Sequence, residues 1–148
     1  MKTTEEIMSG NLLTAPVSAT LEKAHQLMEE KQTHHILITD NEQRLVGILS
    51  DRDIKKFASP FAGSELETSQ DKATFSLSVE RIMSKNPATI SPQESVKACI
   101  EKMLENSIHS LPVLDDDRML LGIVTSTDIF KYVLTLISKG AWSKDPDF

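Results

Sequence analysis

Apolar residues along this chain fall into two spacings, and the whole alternation occurs twice. A short apolar run at Leu12 to Ala15 reads as a strand, and Leu21, Ala24 and Met28 follow at the three- and four-residue spacing of one buried helical face. Two further apolar runs, Ile36 to Thr39 and Leu45 to Leu49, flank the polar stretch Asp40-Asn41-Glu42-Gln43 and predict two strands joined by a turn. A last helix starts at Ser50. The second half repeats this order, with a strand at Ala88 to Ile90 and a helix burying Val96, Cys99, Met103 and Leu104. Strands at Leu111 to Leu114 and Leu120 to Val124 then flank Asp115-Asp116-Asp117, and a helix starts at Thr125. Short helical turns around Thr4 to Met8 and Val79 to Met83 precede the two series, and Ser91-Pro92-Gln93-Glu94 reads as a capping box with proline at the first helical position.

The two series are copies. An offset of 75 residues aligns Ile7 to Phe57 with Ile82 to Tyr132 without a gap, and identical pairs include Met8/Met83, Ser9/Ser84, Met28/Met103, His34/His109, Gly47/Gly122, Ile48/Ile123, Asp53/Asp128 and Ile54/Ile129. Each copy reads strand, helix, strand, strand, helix, which places the chain in the mixed α/β (α+β) class. The expected organisation is a first copy over residues 1–57, a linker rich in Ser, Thr, Gly and charge over 58–77, a second copy over 78–138 and a tail with Trp142 over 139–148. A unit of about 50 residues buries little apolar surface alone, so the copies are expected to pack sheet against sheet about a pseudo-twofold axis, with equivalent loops facing one cleft.

Composition narrows the function classes. The 148 residues are 39% hydrophobic and 26% charged, the proportions of a folded globular chain. A formal net charge of −6 gives the wrong long-range field for DNA or RNA, so nucleic acid is excluded as an expected partner, although a few local cations can still hold one phosphate. No apolar run approaches the roughly 20 residues that span a bilayer, and Met1 to Gly10 is acidic and polar, so neither a membrane span nor a signal peptide is expected. Cys99 is the single cysteine, which rules out an intramolecular disulfide and points to a reducing, cytoplasmic setting.

The segments Ile82-Met83-Ser84, His109-Ser110-Leu111-Pro112-Val113 and Gly122-Ile123-Val124-Thr125-Ser126-Thr127-Asp128-Ile129 resemble the CBS (cystathionine beta-synthase) domain, and Gly47-Ile48-Leu49-Ser50-Asp51-Arg52-Asp53-Ile54 stands at the same place in the first copy. The resemblance covers nearly the whole chain apart from the linker and the tail, and stand-alone pairs of this length are similar to the acetoin-utilisation type. It implies a regulatory module that senses an adenosine ligand (AMP, ADP, ATP, possible relatives being NAD and S-adenosylmethionine) in the inter-repeat cleft, commonly as a homodimer that acts on another protein.

The motif Ser/Thr-x-x-Asp, at Ser50/Asp53 and Thr125/Asp128, has two readings. On physical grounds it is a capping box, in which the hydroxyl and the N3 carboxylate satisfy backbone N–H groups at a helix start. By resemblance, the carboxylate also accepts the two ribose hydroxyls, and the two roles are compatible. The resemblance further implies phosphate contacts from His34, His35 and Arg52 to a nucleotide whose ribose sits on Thr125 and Asp128, and from His109 in the other site, where uncharged Thr127 replaces Arg52. Adenine is then expected near Thr14, Ala15 and Pro16 or near Thr89, Ile90 and Pro112. The first copy departs from the family at Leu37, where the second has Pro112. A metal is not expected, since adjacent His34 and His35 on a strand face opposite sides, and neither is a cofactor. No nucleophile elbow, phosphate loop or acid and base pair is visible, so an enzyme is not expected. The competing reading is a ligand-free dimerisation domain, in which the motifs are caps alone. The stripe Ile129, Phe130, Val133, Leu134, Leu136 and Ile137 exceeds what one copy needs to bury and suits a homodimer contact.

Overall fold

A computed structural model describes residues 1–57 and 73–140. The expected linker falls mostly on residues 58–72, and Trp142 falls on 141–148, both outside the described residues. The elements are α1 (Thr4–Ile7), β1 (Thr14–Pro16), α2 (Leu21–Lys31), β2 (His35–Thr39), β3 (Leu45–Ser50), α3 (Asp51–Phe57), a 3-10 turn (Val79–Arg81), β4 (Ser84–Lys85), α4 (Val96–Asn106), β5 (Ser110–Leu114), β6 (Leu120–Thr125) and α5 (Ser126–Ser138). The architecture is mixed α/β. It divides into a central unit, Leu12–Pro87, and a terminal unit that joins Met1–Asn11 to the chain from Ala88 onward.

Each unit therefore takes its leading turn from one repeat copy and its strands and long helices from the other. In the central unit the sheet order is β1-β2-β3-β4, with β1 parallel to β2 and β3 antiparallel to both β2 and β4. Ala15 stands opposite Ile38, and Ile48 opposite Ser84. The terminal unit repeats these pairings 75 residues away, as Ile90 opposite Val113 and Ser9 opposite Ile123 around the β5-β6 pair. The equivalence reaches back to the chain start: Leu21 N donates to Leu77 O at 2.9 Å, and Val96 N to Lys2 O at 3.1 Å.

Two short strands and a helix leave one sheet edge with unsatisfied backbone groups, and the exchanged segment supplies them. Ser9 N donates to Ile123 O at 2.9 Å and Ile123 N to Ser9 O at 3.0 Å. The repeated glycines permit this closeness. A Cβ on Gly47 would run into the Met83 side chain, and one on Gly122 would lie 2.7 Å from Met8 Sδ and 2.8 Å from the Ser9 carbonyl oxygen. The exchanged methionine thus lies directly over the glycine of the strand it covers.

The cores correspond position by position. Leu21, Ala24, Met28, Ile36, Ile38, Leu49 and Ile54 are buried in the central unit, and Val96, Cys99, Met103, Leu111, Val113, Val124 and Ile129 in the terminal unit. One pair is polar: Thr4 replaces Val79 opposite Cys99, which replaces Ala24. The Thr4 hydroxyl is fully buried but satisfied, donating to Glu94 O at 2.8 Å and lying 3.3 Å from Cys99 Sγ. Burial pushes the Cys99 thiol up, the direction of an inert core thiol.

Three sequence expectations differ from the structure. Ser91 to Glu94 does not cap a helix; α4 starts later, with Ser95 Oγ accepting from Ala98 N at 3.1 Å. Ser91 and Glu94 close a turn instead, through Ser91 N to Glu94 Oε2 at 2.8 Å, and Pro92 O and Glu94 O receive the N–H groups of Glu5 and Thr4. The turn is thus spent on holding the exchanged N-terminal segment. Leu104, expected in the core, is 74% exposed, because the inward positions of α4 are Val96, Cys99 and Met103 and the next residue swings out by about 100°. The strand expected at Ala88 to Ile90 is reduced to the single bridge at Ile90. Pro112 explains this: the equivalent Leu37 donates its N–H to Leu13 O at 2.9 Å, and proline has none to give.

Gly122→Ala is expected to destabilise the protein by about 1–3 kcal/mol, because its new methyl meets a backbone carbonyl, whereas Gly47→Ala meets only a flexible methionine and costs less. Urea unfolding of the two variants checks the order; equal losses would contradict it.

Candidate functional site

In both units the last residue of a strand carries a hydroxyl and the third residue of the following helix carries a carboxylate. Hairpin register fixes where this happens. Ser50 pairs with His35 across β2-β3, and Thr125 with Ser110 across β5-β6. The next N–H closes the corner in each case, Asp51 N to His34 O at 3.0 Å and Ser126 N to His109 O at 2.9 Å. Each motif therefore sits beside the residue that opens the preceding strand, bringing Ser50 and Asp53 together with His34, His35 and Arg52, and Thr125 and Asp128 together with His109.

The capping reading of the motif is correct in both units. Ser50 N donates to Asp53 Oδ2 at 2.9 Å, and Asp53 N donates to Ser50 Oγ at 3.1 Å. In the terminal unit Thr125 N and Thr125 Oγ1 both donate to Asp128 Oδ2, at 2.8 and 2.9 Å. Every bond that ends on a carboxylate uses the same oxygen, Oδ2. Among the described residues, Oδ1 of Asp53 and of Asp128 takes no hydrogen bond, and both side chains are half-buried at the strand ends. A carboxylate held through one oxygen, with no hydrogen bond on the second, is suited to accept hydroxyl donors.

The other expected site residues divide by accessibility. Thr14 and Pro16 are exposed on β1, whereas Ala15 between them is buried. Thr89 is half-buried, and its carbonyl accepts Lys102 Nζ at 2.9 Å. Ile90 and Pro112 are buried, and both backbone groups of Ile90 are committed, its N–H to Pro112 O and its carbonyl to Leu114 N, each at 3.0 Å. His109, Arg52 and Thr127 are exposed, and His35 is half-buried.

His34 has a partner that the sequence spacing did not reveal. Its Nδ1 lies 3.0 Å from Asp51 Oδ2, and Lys55 Nζ lies 4.0 Å from the same oxygen. Burial pushes the Asp51 carboxyl up, but the His34 hydrogen bond and the charges of His34 and Lys55 outweigh it and hold the group below the usual carboxylate range. The signal was present once the hairpin register was known, since pairing His35 with Ser50 brings residue 34 to residue 51.

Two units of repeated strand and helix content, each ending a strand pair on a hydroxyl and carboxylate cap, define a tandem-repeat module with duplicated candidate sites. The chain belongs to the CBS domain family, whose model matches residues 5–59 and 79–135. It is 30% identical over 134 residues to a CBS domain-containing protein of Dictyostelium discoideum, covering 90% of this chain and 92% of that protein. It is 31% identical over 128 residues to the homoserine O-acetyltransferase of Methanohalobium evestigatum, spanning 86% of this chain but 23% of that enzyme, so the chain matches about a quarter of such multidomain relatives. Among solved structures, the CBS domain pair of protein MJ0100, in complex with 5′-methylthioadenosine and S-adenosyl-L-methionine, superposes with a TM-score of 0.74 at 28% identity, covering 90% of this chain and 96% of that one. CBSX2 in complex with AMP gives 0.74 at 25% identity, covering 92% and 98%. A Vibrio cholerae protein (AcuB) assigned to acetoin utilization gives 0.73 at 25% identity, covering 93% and 94%.

Replacing Asp128 with Ala removes the bonds to Thr125 and is expected to cost about 1 kcal/mol of stability, within the usual range for loss of a helix cap. Chemical denaturation reads this directly, and an unchanged midpoint would contradict the cap.

Proposed function

We propose that this protein is a non-catalytic, cytoplasmic regulatory module that binds an adenosine-containing small molecule, with Ser50/Asp53 and Thr125/Asp128 as its ribose-binding pairs. The observation that carries the reading is the duplicated half-buried carboxylate, fixed through Oδ2 by its own helix start, with Oδ1 taking no hydrogen bond among the described residues. Related CBS pairs solved with AMP and with S-adenosyl-L-methionine support the ligand class. In this reading His34, His35, Arg52 and His109 serve the phosphate or the corresponding 5′ substituent, and the segments Thr14 to Pro16 and Thr89 to Ile90, with Pro112, serve the base. AMP, ADP and ATP are the first candidates, followed by S-adenosylmethionine and NAD. Occupancy shifts a conformational equilibrium that a partner protein reads.

A homodimer is part of the proposal and rests on a different observation. Phe130, Leu134 and Ile137 on α5, with Leu104 on α4, are 55–74% exposed. Ile100, Met103, Leu104, Ile108, Ile129 and Phe130 line an apolar groove of about 410 Å³ within the terminal unit. A continuous apolar face of this kind suits a second copy of the same chain. If the motifs were caps alone, this face would be the functional surface and the protein a ligand-free assembly module.

Calorimetric titration with AMP, ATP and S-adenosylmethionine is expected to show saturable binding, weakened at least about tenfold when Asp53 and Asp128 are both changed to Ala, since charge-assisted hydrogen bonds to the ribose are lost. No heat, and no rise in melting temperature at millimolar ligand, would replace this reading with the assembly module. Sedimentation is expected to give a dimer that Phe130→Glu converts to monomer; a monomeric parent protein would contradict the docking face.

A further inference from the structure

The two units carry the same ribose-type motif but different neighbours one residue into the helix. The central unit reads Ser50-Asp51-Arg52-Asp53 and the terminal unit Thr125-Ser126-Thr127-Asp128. Asp51 is the only acidic residue among the two inner positions of either motif, and it is not idle. Its Oδ2 lies 3.0 Å from His34 Nδ1. An ionised carboxylate only accepts hydrogen bonds, so the imidazole donates through Nδ1. The carboxylate thus engages the ring before any ligand arrives. The equivalent His109 stands beside Ser126, a neutral residue with no carboxylate to fix the ring.

We propose that Asp51 is a specificity-determining residue of the binding module, selecting against phosphate at the edge formed by His34, His35 and Arg52. This deepens the adenosine-ligand reading and rests on it. A phosphate approaching this edge meets the attraction of Arg52 and of Lys55, but also the Asp51 carboxylate and an imidazole already committed to it. The His34 side chain is 80% exposed and that of Asp51 27%, so the ring can leave its partner, and a ligand must compete with the pair before using the histidine. A ligand with an uncharged or cationic 5′ substituent meets no such competition. Asp51 therefore lowers the advantage of AMP over adenosine at this edge without touching the ribose pair.

The test compares AMP with adenosine on the full chain and on Asp51→Ser, which installs the residue of the other copy. Exposed charge pairs are modest, so AMP affinity is expected to rise about three- to fivefold in Asp51→Ser with adenosine unchanged within about twofold. Adding His34→Gln to both proteins is expected to abolish most of that gain, because the pair acts through the histidine. Long-range proton–nitrogen spectra of the neutral imidazole are expected to place the His34 proton on Nδ1 in the parent protein and to lose that preference in Asp51→Ser. Intact binding with an unchanged AMP-to-adenosine ratio, or a His34 proton on Nε2 in the parent, would overturn the selectivity while leaving the adenosine reading in place. No binding of either compound to any of the proteins would overturn both.

Discussion

The constraint on which the structure rests is the backbone pairing between the strand pair of one repeat copy and the short leading segment of the other. Ser9 with Ile123 and Ser84 with Ile48 close strand edges that would otherwise expose unpaired amides and carbonyls. The pairing requires a residue without a side chain where the methionine of the incoming segment crosses, which is the position of Gly47 and Gly122. Because β3 and β6 are pinned on both sides, their final residues, Ser50 and Thr125, are fixed in place. The helix starts that follow inherit that rigidity.

Function follows from how those corners are built. A helix start needs acceptors for its first N–H groups, and here the hydroxyl that ends the strand supplies one while the carboxylate at N3 reaches back to the amide of that same strand residue. The cap spends one oxygen and leaves the other, which in the proposed function receives the hydroxyl groups of the ligand. The two corners are alike in this and unlike in charge. Asp51, Arg52 and Lys55 surround one, and Ser126, Thr127 and Phe130 stand at the equivalent places of the other. The same exchange of Lys55 for Phe130 gives the terminal unit the apolar groove that faces outward between α4 and α5.

Most of the element order was legible in the sequence, because Leu21, Ala24 and Met28 keep helical spacing and Ile36 to Thr39 and Leu45 to Leu49 read as strands around an Asp-headed turn. The duplicated Ser/Thr-x-x-Asp spacing likewise showed the candidate site. The exchange of leading segments was not legible for a simple reason. Met8 and Met83, and Ser9 and Ser84, are identical, so either segment satisfies either strand pair, and sequence symmetry holds no information on which is used. The pairing of His34 with Asp51 was hidden because it depends on hairpin register across 17 residues. The turn at Ser91 to Glu94 has the residues of a capping box but makes only half of it, Ser91 N to Glu94 Oε2, while the cap of α4 is Ser95, and Leu104 adjoins a true core position, Met103.

The central claim is that two rigid carboxylates receive the hydroxyl groups of a ribose. Competition between AMP and its 2′,3′-dideoxy analogue tests this most directly, because the two differ only in those hydroxyls. The account predicts that AMP binds, shifts the amide resonances of Ser50 or Thr125, and outcompetes the dideoxy compound by at least about tenfold, the worth of hydrogen bonds to a charged acceptor. Equal affinities, with those resonances unmoved, would contradict it.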